Sequence, residues 1–132
     1  MPVSTDDYVA VSDLLGNYCW KVDEGDADEW IKLWTEDGTF AGATPEPLVG
    51  PDQLKIIVAL SNQSNGKMRH MMGNLHCCYG ETEDTILARF YNFVTDWTDG
   101  GSFKVLAVCN AIIVRIGEDW KVKRNDARLL AD

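Results

Sequence analysis

Two histidines, four prolines, four cysteines and 12 basic residues set against 21 acidic ones are sparse holdings for a chain of 132 residues, and each shortage excludes something. The basic deficit leaves a formal charge of −9. Proteins that bind by neutralising phosphates need a basic face, so nucleic acid and anionic membranes are not expected partners. No stretch approaches the roughly 18 consecutive apolar residues of a membrane-spanning helix. The opening Met1-Pro2-Val3-Ser4-Thr5-Asp6-Asp7 also lacks a basic segment followed by an apolar run. A soluble, cytoplasmic protein is the expectation. Cys19, Cys77, Cys78 and Cys109 form neither a CxxC pair nor a regular spacing, which argues against a zinc ribbon or a disulfide framework. Reduced, mostly buried thiols are expected, with Cys77 and Cys78 on opposite faces if their segment is a strand. Glycine-rich phosphate loops, nucleophile elbows and HExxH sequences do not occur, so dinucleotide, serine-hydrolase and zinc-protease chemistry have no support.

What is present suffices for one domain, residues 1–132, with one core and no structural metal. Ser4 or Thr5 can cap a helix opened by Asp6 and Asp7, on which Tyr8, Val11, Leu15, Tyr18, Cys19 and Val22 recur at helical spacing. Gly25 ends it. Asp26 and Glu29 resemble a capping box before a short helix carrying Trp30, Ile31, Leu33 and Trp34. Glu36-Asp37-Gly38 then turns the chain into a strand at Thr39–Ala43, and a loop spans Thr44–Gly50. Pro51 suits the start of a third helix through Leu54, Ile57, Val58 and Leu60, ending near Asn62. From Lys67 the texture is β-compatible: Met68–Tyr79, Thr85–Trp97, Phe103–Ile116 and Trp120–Leu130 predict an antiparallel meander. Three helices followed by four long strands is the order of an α+β protein whose helices cover one face of a curved sheet.

Both alternating sets on the central strands are apolar: Phe90 and Val94 against Leu87, Tyr91 and Phe93, and Val105, Ala107 and Ile113 against Leu106, Val108 and Ile112. A sheet buried on both faces needs a second cover, and with helices on one side only, another subunit supplies it. A homo-oligomer is expected.

Asp23 continues the apolar stripe of the first helix, four residues after Cys19, where a carboxylate needs a partner. His70 falls on the first long strand, and parity places Met68, Met72, Asn74 and His76 on its face. Histidine is the usual proton carrier near neutrality, and a neighbouring carboxylate would orient its ring. Two histidines six residues apart on a strand stand about 20 Å apart, too far to chelate one ion, so no metal is expected. Tyr18, Trp20, Trp30, Trp34, Phe40 and Tyr91 are core aromatics or, around a cavity, walls suited to an apolar or aromatic ligand. On the last strand Trp120, Val122, Arg124, Asp126 and Arg128 share one parity, which would make Arg124 beside Asp126 a polar floor.

Four segments carry a resemblance over nearly the whole chain: Leu14–Tyr18 with Asp23, Trp30–Phe40, Arg69–Asn74 and Gly117–Val122. They are similar to the SnoaL-like branch of the nuclear-transport-factor-2-like superfamily, which includes scytalone dehydratase, hexachlorocyclohexane dehydrochlorinase and bile acid 7α-dehydratase. The resemblance implies a cone-shaped, cystatin-like α+β fold with three N-terminal helices on a curved, mostly antiparallel sheet. It implies a cofactor-independent lyase, dimeric or trimeric, acting on a small, largely apolar, aromatic or alicyclic substrate. His70 would remove a proton from carbon, Asp23 would hold and polarise His70, and Tyr18 would hydrogen-bond a substrate or leaving-group oxygen. Trp20, Phe40, Met72, Asn74, Tyr91 and Arg124 would contact substrate. Scytalone dehydratase has a second pocket histidine, and Arg89-Phe90-Tyr91-Asn92-Phe93 has none. Tyr18, Tyr91, Asn92, Arg124 or water is therefore left to assist the leaving group. An isomerase using the same pocket is one alternative. A non-catalytic or ligand-binding protein resembling the β-subunit of aromatic-ring-hydroxylating dioxygenases is the other.

Overall fold

The computed structural model describes residues 2–131. Helix α1 (Thr5–Asp23) starts where Ser4 Oγ accepts the Asp7 N–H at 3.2 Å, and it buries Val11, Leu14, Leu15, Tyr18, Cys19 and Val22. These residues recur at helical spacing and so form one face. Asp26 caps the five-residue α2 (Ala27–Ile31) by accepting from the Glu29 N–H at 3.1 Å. After β1 (Trp34–Ala41) and the two-residue β2 (Leu48–Val49), α3 (Pro51–Ser61) begins on its proline. Four long strands follow: β3 (Met68–Tyr79), β4 (Thr85–Asp96), β5 (Ser102–Ile116) and β6 (Asp119–Leu129). They build one curved sheet of order β2-β1-β6-β5-β4-β3, antiparallel except where β1 runs parallel to β6. The meander from β3 to β6 is as the sequence implies.

Helices cover only the inner face. Ile86, Ala88, Phe90 and Val94 of β4 are buried beneath them, whereas Leu87, Arg89, Tyr91 and Phe93 are exposed on the outer face. The N-terminus of α1 is tied to the sheet by Asp7, which accepts from the Tyr79 hydroxyl and pairs with Arg115 at 3.1 Å. The Tyr79 bond, opposed by partial burial and reinforced by Arg115, holds the Asp7 carboxyl below its usual range. At the other end of the sheet, Asp96 accepts from the Ser64 hydroxyl at 2.6 Å and from the Thr98 hydroxyl and N–H at 2.7 and 2.9 Å. These bonds lower its pKa to about 2.

Three local expectations are corrected. Trp34 belongs to β1, not to the second helix, because Leu33 O already accepts the Val122 N–H at 2.8 Å and commits the chain to the sheet. In β3 the register shifts between Gly73 and His76, with Asn74 at φ 56°. One extra residue reverses strand parity beyond it. His76 therefore sits opposite Arg89 on the outer face, away from His70. A second shift, opposite Ile112/Ile113, does the same to β6: Trp120 and Val122 point inward, but so does Asn125, while Arg124 and Asp126 face outward. The pair Arg124–Asp126 exists, at 2.9 Å, but it forms no floor to the inner face.

Candidate functional site

Asp23 is the last residue of α1, and α1 lies across β3, so the carboxylate meets the edge strand at His70. Its Oδ1 accepts the His70 backbone N–H at 3.0 Å and stands 2.7 Å from ring Nδ1; Oδ2 lies 3.2 Å from the same N–H. Both side chains are largely shielded, with 12% of His70 and 7% of Asp23 exposed. A carboxylate that accepts from the backbone also accepts from Nδ1–H, which fixes the tautomer and leaves Nε2 as the basic nitrogen. Anchoring the main chain and the ring of one residue together leaves the imidazole little freedom to turn.

His70 lines a cavity of about 170 Å³ between the helices and the inner face of the sheet. Val22, Ile57, Leu60, Val94, Val105, Ala107 and Leu129 make most of it apolar, and Tyr18, Phe40, Cys19, Cys109, Asn92, Ser61, Gly42, Ala43 and Ala127 complete it. Buried Asn125 donates from Nδ2 to the Tyr18 hydroxyl at 3.1 Å. That fixes the phenol oxygen and leaves its own proton to be given elsewhere. Burial pushes the Tyr18 phenol well above its ordinary value, so it stays a neutral donor. Burial likewise pushes the Cys19 and Cys109 thiols up to about 12, with the charge of Asp23 adding to the effect on Cys19. Neither is a nucleophile near neutral pH. Among the described residues no three His, Cys, Asp or Glu side chains converge as a metal site, and no helix is long and apolar enough to cross a membrane.

Of the residues singled out in the sequence, the fold brings Tyr18, Phe40 and His70 onto this cavity, with Asp23 directly behind the imidazole. Asn92, one of the residues left to assist the leaving group, lines it too. The others lie elsewhere. Trp20, 64% exposed, lines an outer groove with Arg69, Met71, Met72 and Trp97 that reaches Asp23 and His70 from the solvent side. Asn74 and Tyr91 sit on the outer face of the sheet with His76 and Arg89, and Arg124 is on that face too. The strand bulges explain Asn74 and Arg124; Tyr91 follows plain alternation with inward Phe90 and Asn92. Asn125 was hidden by the β6 bulge. The inward position of Asn92 was legible from parity with Phe90 and Val94.

A small apolar cup under three helices, closed by a curved sheet and holding a buried carboxylate–imidazole pair, defines an α+β protein of the NTF2-like, cystatin-like class. The chain belongs to the SnoaL-like domain family, whose model matches residues 3–126. Among solved structures it is similar to Aln2 from a Streptomyces species, at 16% identity and a TM-score of 0.89 over 98% of this chain and 94% of that one. An NTF2-like protein with a cystatin-like fold from Novosphingobium aromaticivorans is 23% identical, with a TM-score of 0.80 over 95% and 82% of the two chains. A Catenulispora acidiphila protein in complex with S-DNPA is 20% identical, with a TM-score of 0.79 over 96% and 95%. At these identities the likeness establishes the fold. No curated protein matches the chain in sequence. The SnoaL-like family includes polyketide cyclases and dehydratases, and its members bind small molecules.

Proposed function

We propose that this protein is a cofactor-independent lyase that removes water from a small cyclic β-hydroxy ketone. The observation that carries the reading is the 2.7 Å contact between Asp23 and His70 at the wall of a largely apolar cavity. A buried carboxylate with no such partner would be costly, and an imidazole held in one tautomer is what carbon deprotonation needs. His70 Nε2 takes the proton α to the carbonyl, and the C–H electron pair becomes the enolate. The Tyr18 O–H donates to the enolate oxygen, which it can do without ionising. Collapse of the enolate forms the C=C bond and breaks the C–O bond, and the departing hydroxide takes the proton back from the His70 imidazolium as water. Protons and charge balance without a second acid. The Tyr18 phenol and the Cys19 and Cys109 thiols stay protonated, so the imidazole serves both steps.

The test follows product absorbance, cyclohexenone from 3-hydroxycyclohexanone and 1-naphthol, the aromatic tautomer of the enone, from 3-hydroxy-1-tetralone. Enzyme-dependent product is expected from wild type and is lost in His70→Gln; the same rate in both proteins would sink the reading.

We further propose that the protein works as a homo-oligomer through the outer face of its sheet. Tyr91 and Phe93 are 41% and 39% exposed, and Leu87 and Phe103 are exposed beside them. Phe93 and Phe103 stack with centroids 5.3 Å apart and Tyr91 follows on the same face, with Arg89 between it and Leu87. Contiguous apolar surface of this kind marks an interaction site. Light scattering is expected to give a dimer or trimer mass for wild type and a monomer for Phe93→Lys. A monomeric wild type at micromolar concentration would rule the assembly out.

A further inference from the structure

The outer face of the sheet carries its charges unevenly on either side of β5. Opposite Asn110 stand Arg89 on β4 and Asp126 on β6, so a cation and an anion flank a central strand in one cross-strand row. The next row is Tyr91, Val108 and Arg128, and the one after it is Phe93, Leu106 and Leu130. Among the described residues Arg89 and Arg128 pair with no carboxylate. Asp126 accepts from Arg124 Nε at 2.9 and 3.1 Å, and half of its side chain stays open to a second donor. A chain with a formal charge of −9 repels its own copies. On these outward positions Arg89, Arg124 and Arg128 outnumber Asp126, so that repulsion is weakest at this face.

We infer that two copies of this chain pack outer face to outer face about a twofold axis along β5, with Arg89 of each protomer bonded to the partner's Asp126. The inference rests on the reading of this face as the subunit interface, and it specifies which groups meet there. Sheets packed face to face keep their strands within about 30° of alignment, so an axis in the interface runs either along β5 or across it. Along β5, it brings β4 of one protomer over β6 of the other. Arg89 then meets the partner's Asp126, Tyr91 receives the guanidinium of the partner's Arg128 on its ring, and Phe93 meets the partner's Leu130. Asn110 meets its own copy, and two facing amides can exchange hydrogen bonds. An axis across the strands at the Asn110 row sets Arg89 against Arg89 and Asp126 against Asp126. Moved half a row either way, it pairs Asp126 with the partner's Arg128 or the partner's Arg124. It then leaves Arg89 without a carboxylate and buries the Asn110 amide against valine or isoleucine, where it has no partner.

Sedimentation equilibrium of the full-length chain tests the arrangement. Wild type is expected to be a dimer. Arg89→Asp sets a carboxylate against the partner's Asp126, and Asp126→Arg sets a guanidinium against the partner's Arg89. A twofold interface contains each contact twice, so each variant is expected to raise the dissociation constant at least about tenfold. Mixed one to one, the two variants are expected to form a heterodimer within about threefold of the wild-type constant, because both pairs between protomers are again opposite in charge. An axis across the strands gives no such rescue, since position 126 then faces Arg124 or Arg128. The conservative Arg89→Lys variant supplies a second readout: carbodiimide is expected to join position 89 to the partner's Asp126 in a covalent dimer. Single variants that dimerise as wild type does, a mixture that fails to associate, or a dimer that yields no such link overturns the arrangement and leaves the face standing as an interface. A wild-type trimer overturns it too. A wild-type monomer removes the interface reading, and this inference with it.

Discussion

Asp23→Asn is expected to lower the rate of enone formation by about 10²- to 10⁴-fold with little change in the fold, comparable to the loss of a positioned base. The carboxylate accepts from two donors on one residue, the His70 N–H and ring Nδ1–H. An asparagine oxygen in the Oδ1 position would accept from both but would set Nδ2, in the Oδ2 position, donor to donor against the His70 N–H at 3.2 Å. With the oxygen in the Oδ2 position the backbone bond is kept, and the Nδ2 group faces ring Nδ1 and turns it into an acceptor. The ring proton then moves to Nε2, the nitrogen that takes the substrate proton in the proposed reaction, and the imidazole can no longer do so. The tautomer is readable directly: nitrogen-15 shifts of His70 are expected to show Nδ1 protonated in neutral wild-type imidazole and Nε2 protonated in the variant. The second histidine, His76, lies on the outer face opposite Arg89 and serves as the internal control. An Asp23→Asn protein within about threefold of wild type would show that the pair is structural. Loss of rate with the tautomer unchanged would instead assign Asp23 an electrostatic role.

The second large effect belongs to the backbone. Gly42→Ala is expected to destabilise the protein by about 2–4 kcal/mol, the range of substitutions that force a backbone into a conformation it cannot hold. Gly42 follows β1, has φ 110°, and a Cβ built on it would stand 1.7 Å from the carbonyl oxygen of Ala127 on β6. No rotamer can relieve a contact between a Cβ and a main-chain atom. The end of β1 has to leave β6, and both Gly42 and Ala127 border the cavity, so the wall opens with it. Chemical denaturation measures the loss, and amide exchange at Phe40 and Ala41 is expected to accelerate before that of β4 or β5. Stability within about 0.5 kcal/mol of wild type would show that this close approach is not maintained in solution.

Much of this arrangement was legible in the chain. The spacing of Val11, Leu15, Tyr18, Cys19 and Val22 fixes which face of α1 is buried, and Asp23 follows on that face because a helix repeats every 3.6 residues. Strict alternation on β4 separates Phe90, Asn92 and Val94 from Leu87, Tyr91 and Phe93, and the sheet keeps that separation along the strand. Residues on β3 and β6 were legible only up to their bulges. Counting by twos from His70 reaches Asn74 and His76, and counting by twos from Trp120 reaches Arg124; the structure turns His76 and Arg124 to the outer face and carries Asn74 to the same side. Nothing in a period of two announces an extra residue. Asn74 adopts its left-handed conformation, which asparagine tolerates better than most residues, only because β4 holds the strand on both sides of it.

Local periodicity and composition thus dictated the order of elements, the faces of α1 and β4, and the residue types available for acid–base chemistry, all of which can be read from short windows of the chain. Folding was needed to bring Asp23 to His70, 47 residues away, and to turn Asn125 rather than Arg124 inward, where it meets the Tyr18 hydroxyl 107 residues away. Those contacts depend on how α1 crosses the sheet and where two strands slip register. Such geometry is set by the packing of many side chains at once, and no short window of sequence contains it.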